Sequence, residues 1–139
     1  MICKEDLFMM DIAVRVSEES RDEKVSVGCV IAKDRNILAY GYNGTPSGYP
    51  NEMRDVHGAT LSCVIHAEQN ALAKLAKSTQ SGEGASVYTT LFPCMNCAMS
   101  LVQAGVTHIY YQDHYKNMDA LELFSALNIN VTKLENHLE

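Results

Sequence analysis

His66-Ala67-Glu68 and Pro93-Cys94-Met95-Asn96-Cys97 hold an imidazole, a carboxylate and two thiols at spacings that chemistry can use. Two thiols separated by two residues can grip one tetrahedral zinc ion from a single turn of chain, and the same spacing suits a reversible disulfide. His66 changes the balance, because an imidazole added to Cys94 and Cys97 makes three zinc ligands with a fourth position left for water. Both segments read as places where a loop enters a helix, so two helix N-termini would favour thiolate charge at one point. Zinc held in this way lowers the pKa of its water from about 15.7 to about 7. Glu68 follows His66 by two residues and does not share a helix face with it, so it reads as a proton carrier beside the metal. Two other readings stay open. Cys63 and His66 form C-x-x-H and could close the site with four protein ligands, as in a zinc-stabilised binding module, or Cys94 and Cys97 could be a redox pair.

These residues need a scaffold, and 139 residues that are 47 % hydrophobic and 20 % charged suffice for one domain, expected over 1–139. The apolar pattern from Lys4 to Glu19, with Leu7, Met10 and Val14 recurring, predicts an amphipathic helix. Residues 25–32 and 36–43 predict two strands joined by Lys33-Asp34-Arg35 and Asn36. A long loop follows, rich in Gly, Pro, Asn and Ser, and then a helix over 66–77. Residues 86–90 read as a strand, 95–105 as a helix stopped by Gly105, and 106–111 as a strand. A helix over 117–128 and a strand over 129–134 complete the order α-β-β-α-β-α-β-α-β. The pattern predicts an α/β layered domain, with helices on both sides of a five-stranded mixed sheet.

Composition excludes several function classes. The net charge is -6, with no Lys/Arg cluster and no tryptophan, which argues against a polymeric nucleic acid partner. A small anion in one local pocket remains compatible with that background. No apolar run approaches the ~18 residues of a membrane span, and "MICKEDLFMMD" places charges where a signal peptide needs apolar residues. Five cysteines, odd in number and scattered, fit reduced thiols, and a cytoplasmic location is expected.

H-x-E followed by P-C-x-x-C is the signature of zinc-dependent nucleobase deaminases. Over nearly its whole length the chain resembles the cytidine deaminase superfamily, and within it the deoxycytidylate deaminases. "GYNGTPSG" (41–48), "HAEQNAL" and "TTLFPCMNCAMSLVQAG" carry the likeness, and "DHYKNMD" (113–119) is similar to their Asp-x-Tyr segment. The resemblance implies a cytidine deaminase-like three-layer α/β/α sandwich and a zinc cofactor. It implies hydrolysis of dCMP to dUMP and ammonia for dTTP synthesis, with Glu68 protonating N3 and then the departing amino group. It also puts Asn43 on the deoxyribose 3′-hydroxyl, the Ala67 backbone on the base edge and Tyr115 near the 5′-phosphate; Lys116, read from its position beside Tyr115 and not from the resemblance, could add charge there. Activation by dCTP and inhibition by dTTP, through a loop reading Gly44-Thr45-Pro46-Ser47-Gly48, and a homohexamer are further implications. Arg21 and Lys24 are the cations that such an effector site would use. Another cytosine nucleoside or nucleotide remains the alternative substrate.

Elsewhere the sequence reads blandly. His57, His108, His114 and His137 are surface or loop residues, Arg54 a solvated charge, Cys3, Cys29 and Cys63 small core hydrophobes, and the seven methionines core filling. Asn43-Gly44 could simply serve a turn, and "DHYKNMD" could be only a loop that leads into a helix.

Overall fold

The computed structural model describes residues 2–135, so His137 lies outside the described residues. Nine elements follow in the expected order: α1 (Lys4–Ser17), β1 (Gly28–Lys33), β2 (Asn36–Tyr42), α2 (Ala67–Ala76), β3 (Ser86–Leu91), α3 (Met95–Gln103), β4 (His108–Asp113), α4 (Ala120–Ala126) and β5 (Asn130–Lys133). The strands form one sheet in the order β2-β1-β3-β4-β5. β1 runs antiparallel to β2 and β3, whereas β3, β4 and β5 are mutually parallel. Antiparallel neighbours need only a tight turn; each parallel pair is joined through a crossover helix, α3 and then α4.

Alternation along the strands divides the core between two faces. Cys29, Ile31, Val87 and Ile109 point to one side and pack with Ala67, Ala71 and Leu75 of α2, Leu101 of α3 and Phe124 of α4. Val30, Ala32 and Tyr88 point to the other and meet Met9, Met10 and Ala13 of α1. The result is a three-layer α/β/α sandwich, in which each fully buried Leu, Ile, Val or Phe contributes about 1.5–3 kcal/mol. Ala67, Ala71 and Leu75 recur every four residues, and the small alanines seat α2 directly against the sheet.

Several boundaries differ from expectation for identifiable reasons. The β1–β2 turn is only Asp34 and Arg35, whose φ values of 50° and 68° give the left-handed pair that a two-residue hairpin requires. β1 begins at Gly28 rather than Val25, because side chains hold the preceding residues. Asn43 Nδ2 donates to Val25 O at 2.8 Å, and Asn43 Oδ1 accepts from Val27 N at 2.9 Å. The buried stripe of α1 is Asp6, Met9, Met10, Ala13 and Val16 instead of Leu7, Met10 and Val14, and Phe8 is exposed. Asp6 turns inward because its Oδ1 accepts from the Tyr88 hydroxyl at 2.7 Å and its Oδ2 from Cys3 N at 3.1 Å. Cys29 is a core residue as expected, but Cys3 at the N-terminus of α1 is exposed and Cys63 is half-buried. Of the methionines, Met95 and Met99 face outward from α3.

Candidate active site

His66 caps the N-terminus of α2, and Cys94 that of α3, with Cys97 in the first turn of α3. Local bonds set each position. Gly44 and Ile65 exchange backbone hydrogen bonds of 3.0 and 2.8 Å, which draws the two ends of the long loop together beside β2. Gln69 Oε1 then accepts from His66 N at 3.0 Å, and Asn70 Nδ2 donates to Tyr42 O at 2.7 Å, tying the first turn of α2 to the strand end. On the other segment, Phe92 N donates to Asp113 O at 2.9 Å, while the Phe92 ring meets Tyr111 and Phe124 edge-on at 5.0 and 6.0 Å. That packing fixes the exit of β3, from which Pro93 leads to Cys94.

The His66 Nδ1 atom lies 3.5 Å from Cys94 Sγ and 3.3 Å from Cys97 Sγ, and the three ligand atoms all fall within 4.8 Å of one another. Tetrahedral zinc with Zn–N near 2.05 Å and Zn–S near 2.3 Å separates N and S by about 3.6 Å. Burial pushes the Cys97 thiol far above its ordinary range, and the charges of Glu68 and Cys94 push the same way. A cation between the three atoms reverses that field, so the donor set fits zinc. Cys63 lies outside this group, which among the described residues contains three ligands rather than four. A redox pair would have no use for an imidazole at this distance from both sulfurs.

Glu68 is only 4 % exposed, yet it lines the same cavity of about 430 Å³ as His66 and Cys94. Burial lifts its carboxyl to about 7, against the pull of its own backbone N–H. A carboxyl poised there can both accept and return a proton at neutral pH. The cavity has the size of a small-molecule site. Asn43, Ala67, Tyr115 and Lys116 line it as well, so four residues from three distant stretches converge with the cluster. Both polar ends of the Asn43 side chain are engaged with the approach to β1, which leaves its second amide N–H and second carbonyl lone pair for any ligand.

Arg54 is not a solvated charge. Its Nε and Nη2 donate to Asp22 Oδ1 and Oδ2, both at 2.8 Å, and both residues line the cavity. Burial opposes the charge of Asp22, but hydrogen bonds from Arg54 and from the backbone N–H groups of Lys24 and Val25 outweigh it and hold the carboxyl below its ordinary range. His114, read as a loop residue, is exposed but lines the cavity. His57 is not among its lining residues. Nothing local in the sequence pairs Asp22 with Arg54, 32 positions apart.

The five residues expected around an effector do not form one group. Arg21, Gly44, Thr45 and Gly48 line a second cavity of about 220 Å³, to which Asn43 also contributes. Lys24 lies on a third, of about 630 Å³, with Nζ 3.4 Å from Gly58 O. Arg21 borders both.

Sheet order, helix layers and a His/Cys/Cys cluster beside a buried glutamate define a cytidine deaminase-like fold with a three-atom donor set that fits zinc, beside a cavity. Residues 3–113 match the family model for the cytidine and deoxycytidylate deaminase zinc-binding region, and the chain belongs to that family. It is 35 % identical over 122 residues to ComE operon protein 2 of Bacillus subtilis (strain 168), covering 81 % of this chain and 61 % of that protein. Against the deoxycytidylate deaminase of Saccharomyces cerevisiae it is 33 % identical over 140 residues, covering 91 % and 43 %. The chain thus spans less than two-thirds of both relatives. The dCMP deaminase from cyanophage S-TIM5, solved in complex with dCMP and dUMP, superposes with a TM-score of 0.92 at 37 % identity, covering 96 % of this chain and 99 % of that one.

Proposed function

We propose that the chain, as a single deaminase domain over 1–139, converts dCMP and water to dUMP and ammonia. The observation that carries this reading is the buried Glu68 carboxyl on the cavity that His66 and Cys94 also line, beside the His66, Cys94 and Cys97 donor set. The dCMP- and dUMP-bound cyanophage relative supports the choice of substrate. His66, Cys94 and Cys97 would hold the zinc, which when bound supplies water activated for attack at neutral pH. Glu68 takes the proton released from that water and passes it to N3 of the cytosine as C4 becomes tetrahedral, then takes the proton of the new C4 hydroxyl and delivers it to the amino group, which departs as ammonia as the C4 carbonyl forms. Asn43 would orient the deoxyribose through its 3′-hydroxyl, the Ala67 backbone would meet the base edge, and Tyr115 and Lys116 would stand by the 5′-phosphate.

The test is ammonia release from dCMP, CMP, deoxycytidine, dAMP and single-stranded DNA. We expect turnover of dCMP, with at least a ~10²-fold fall in Glu68→Gln at unchanged zinc content. Turnover of none of these refutes the reading, and preference for an unphosphorylated nucleoside reassigns the substrate.

Three finer features belong to the same proposal. Effector control by dCTP and dTTP through Arg21, Lys24, Gly44, Thr45 and Gly48 is supported by Asn43, which borders both the cavity along Gly44–Gly48 and the candidate substrate cavity. Sigmoidal dCMP dependence, made hyperbolic by dCTP and weakened by dTTP, is the expected signature; hyperbolic kinetics that neither triphosphate alters would refute it. Assembly as a homohexamer is supported by exposed apolar side chains, Met95 and Met99 on α3 and Leu121 on α4, and is checked by light scattering. A cytoplasmic site of action is supported by the free, scattered cysteines. Among the described residues no helix is long and apolar enough to cross a membrane.

A further inference from the structure

Arg54 has more donors than its structural partners use. Two of its five N–H groups bond Asp22, and a third, on Nη1, donates to Gly58 O at 2.9 Å. One N–H on each terminal nitrogen is left, with no further hydrogen bond among the described residues. The side chain is 20 % exposed and its Asp22 partner 3 %, and both line the cavity that holds Glu68. We infer that Arg54 is a specificity-determining residue that grips the phosphate of the nucleotide through its two remaining N–H groups, and that Asp22 is its positioning residue. The inference rests on the proposed dCMP reading and adds to it the group that reads the phosphoryl end.

Three physical arguments favour Arg54 as the main phosphate grip. Paired terminal N–H groups match two phosphate oxygens bidentately, which a lysine ammonium does not do. The guanidinium is already immobilised by three hydrogen bonds, so little side-chain freedom is lost when ligand arrives, whereas Lys116 is exposed on a flexible stem. Asp22 offsets the charge of Arg54 before ligand arrives but leaves two donors directed elsewhere. The placement is also built across the chain. Arg54 pairs with Thr60 in an isolated backbone bridge, and Thr60 lines the same cavity.

Removing Arg54 alone would leave Asp22 buried without its partner, so the variant to use is Asp22→Asn with Arg54→Gln. The amide of Asp22→Asn retains a carbonyl oxygen for Lys24 N and Val25 N, which bond Oδ1 in the native chain at 2.8 and 3.3 Å. Zinc content and the urea midpoint establish that the variant is folded. Kinetics with dCMP are then compared with inhibition by dUMP and by deoxyuridine, which differ only in the phosphate. We expect KM for dCMP to rise about 10- to 100-fold, the range of one or two lost charge-assisted hydrogen bonds, with kcat within about 3-fold. Inhibition by dUMP should weaken by a similar factor and its advantage over deoxyuridine should collapse. An unchanged KM, or equal weakening of dUMP and deoxyuridine, overturns the assignment and leaves Arg54 a loop clamp. A wild-type protein inert towards dCMP fails the proposed function itself, a result visible before any variant is made.

Discussion

Gly41 of β2 lies directly beneath the first turns of α2, the helix that carries Glu68. A Cβ added there would stand 2.5 Å from Ala71 N, 2.6 Å from Ala67 O and 2.9 Å from Asn70 Cβ. Ordinary contact begins at 3.4 Å, so relieving the shortest of these needs about 0.9 Å of movement, and two of the three atoms are backbone. Overpacking of this kind costs about 1–3 kcal/mol, offset in part by the ~0.5–1 kcal/mol that alanine gains over glycine within a strand. Gly41→Ala should therefore be destabilised by about 1–2 kcal/mol. With an m-value of ~2 kcal/mol/M, that lowers the urea midpoint by about 0.5–1 M. The larger consequence is functional. Displacing α2 moves His66 and Glu68 relative to Cys94 and Cys97, and a misplacement of about 1 Å can cost ~10²-fold in rate. The assay is urea unfolding by circular dichroism beside dCMP turnover at matched zinc content. A Gly41→Ala protein with a native midpoint and near-native turnover would refute the argument that this close approach sets the site.

Chelation of zinc, or either of His66→Ala and Cys97→Ala, should abolish turnover and lower the melting temperature, because metal binding is linked to folding; zinc stoichiometry and calorimetry check this. Cys63→Ala should keep one zinc per chain and its activity, and loss of the metal would restore the four-ligand reading. Burial opposes ionisation of Asp6, yet bonds from Tyr88, Cys3 and Tyr110 hold its carboxyl below the ordinary value of 3.8. Its contribution is thus present above the pKa of an unfolded aspartate and lost as pH falls through the depressed folded value. Urea unfolding of wild type and Asp6→Asn from pH 7 to pH 2 should show a constant stability difference above about pH 5 that shrinks below about pH 4. A difference that stays flat to pH 2 would refute the linkage.

Regular periodicities made the elements and their order legible, since alternation on strands and four-residue recurrence on helices are local properties. Local chemistry likewise announced His66, Glu68, Cys94 and Cys97, because each pair sits within one turn of chain. Boundaries were less legible wherever a distant side chain replaced a backbone partner. Asn43 holds residues 25–27 out of the ladder, and Tyr88 draws Asp6 into the core and rotates the buried stripe of α1. No short sequence window contains both members of either contact.

The sequence by itself therefore determined the layered fold, through the periodicity of its elements, and the two short motifs that hold His66 with Glu68 and Cys94 with Cys97, which the family signature joins across 28 positions. Only the tertiary structure decided that Cys63 stands apart from the His66, Cys94 and Cys97 cluster, that Lys24 lies off the cavity shared by Arg21 and the Gly44–Gly48 loop, and that Arg54 is locked onto Asp22. Those outcomes depend on how a long loop closes over the sheet, through the Gly44–Ile65 bridge and the turn from Asp55 to Gly58. Loop closure is governed by pairings across tens of residues, for which a single sequence carries no period.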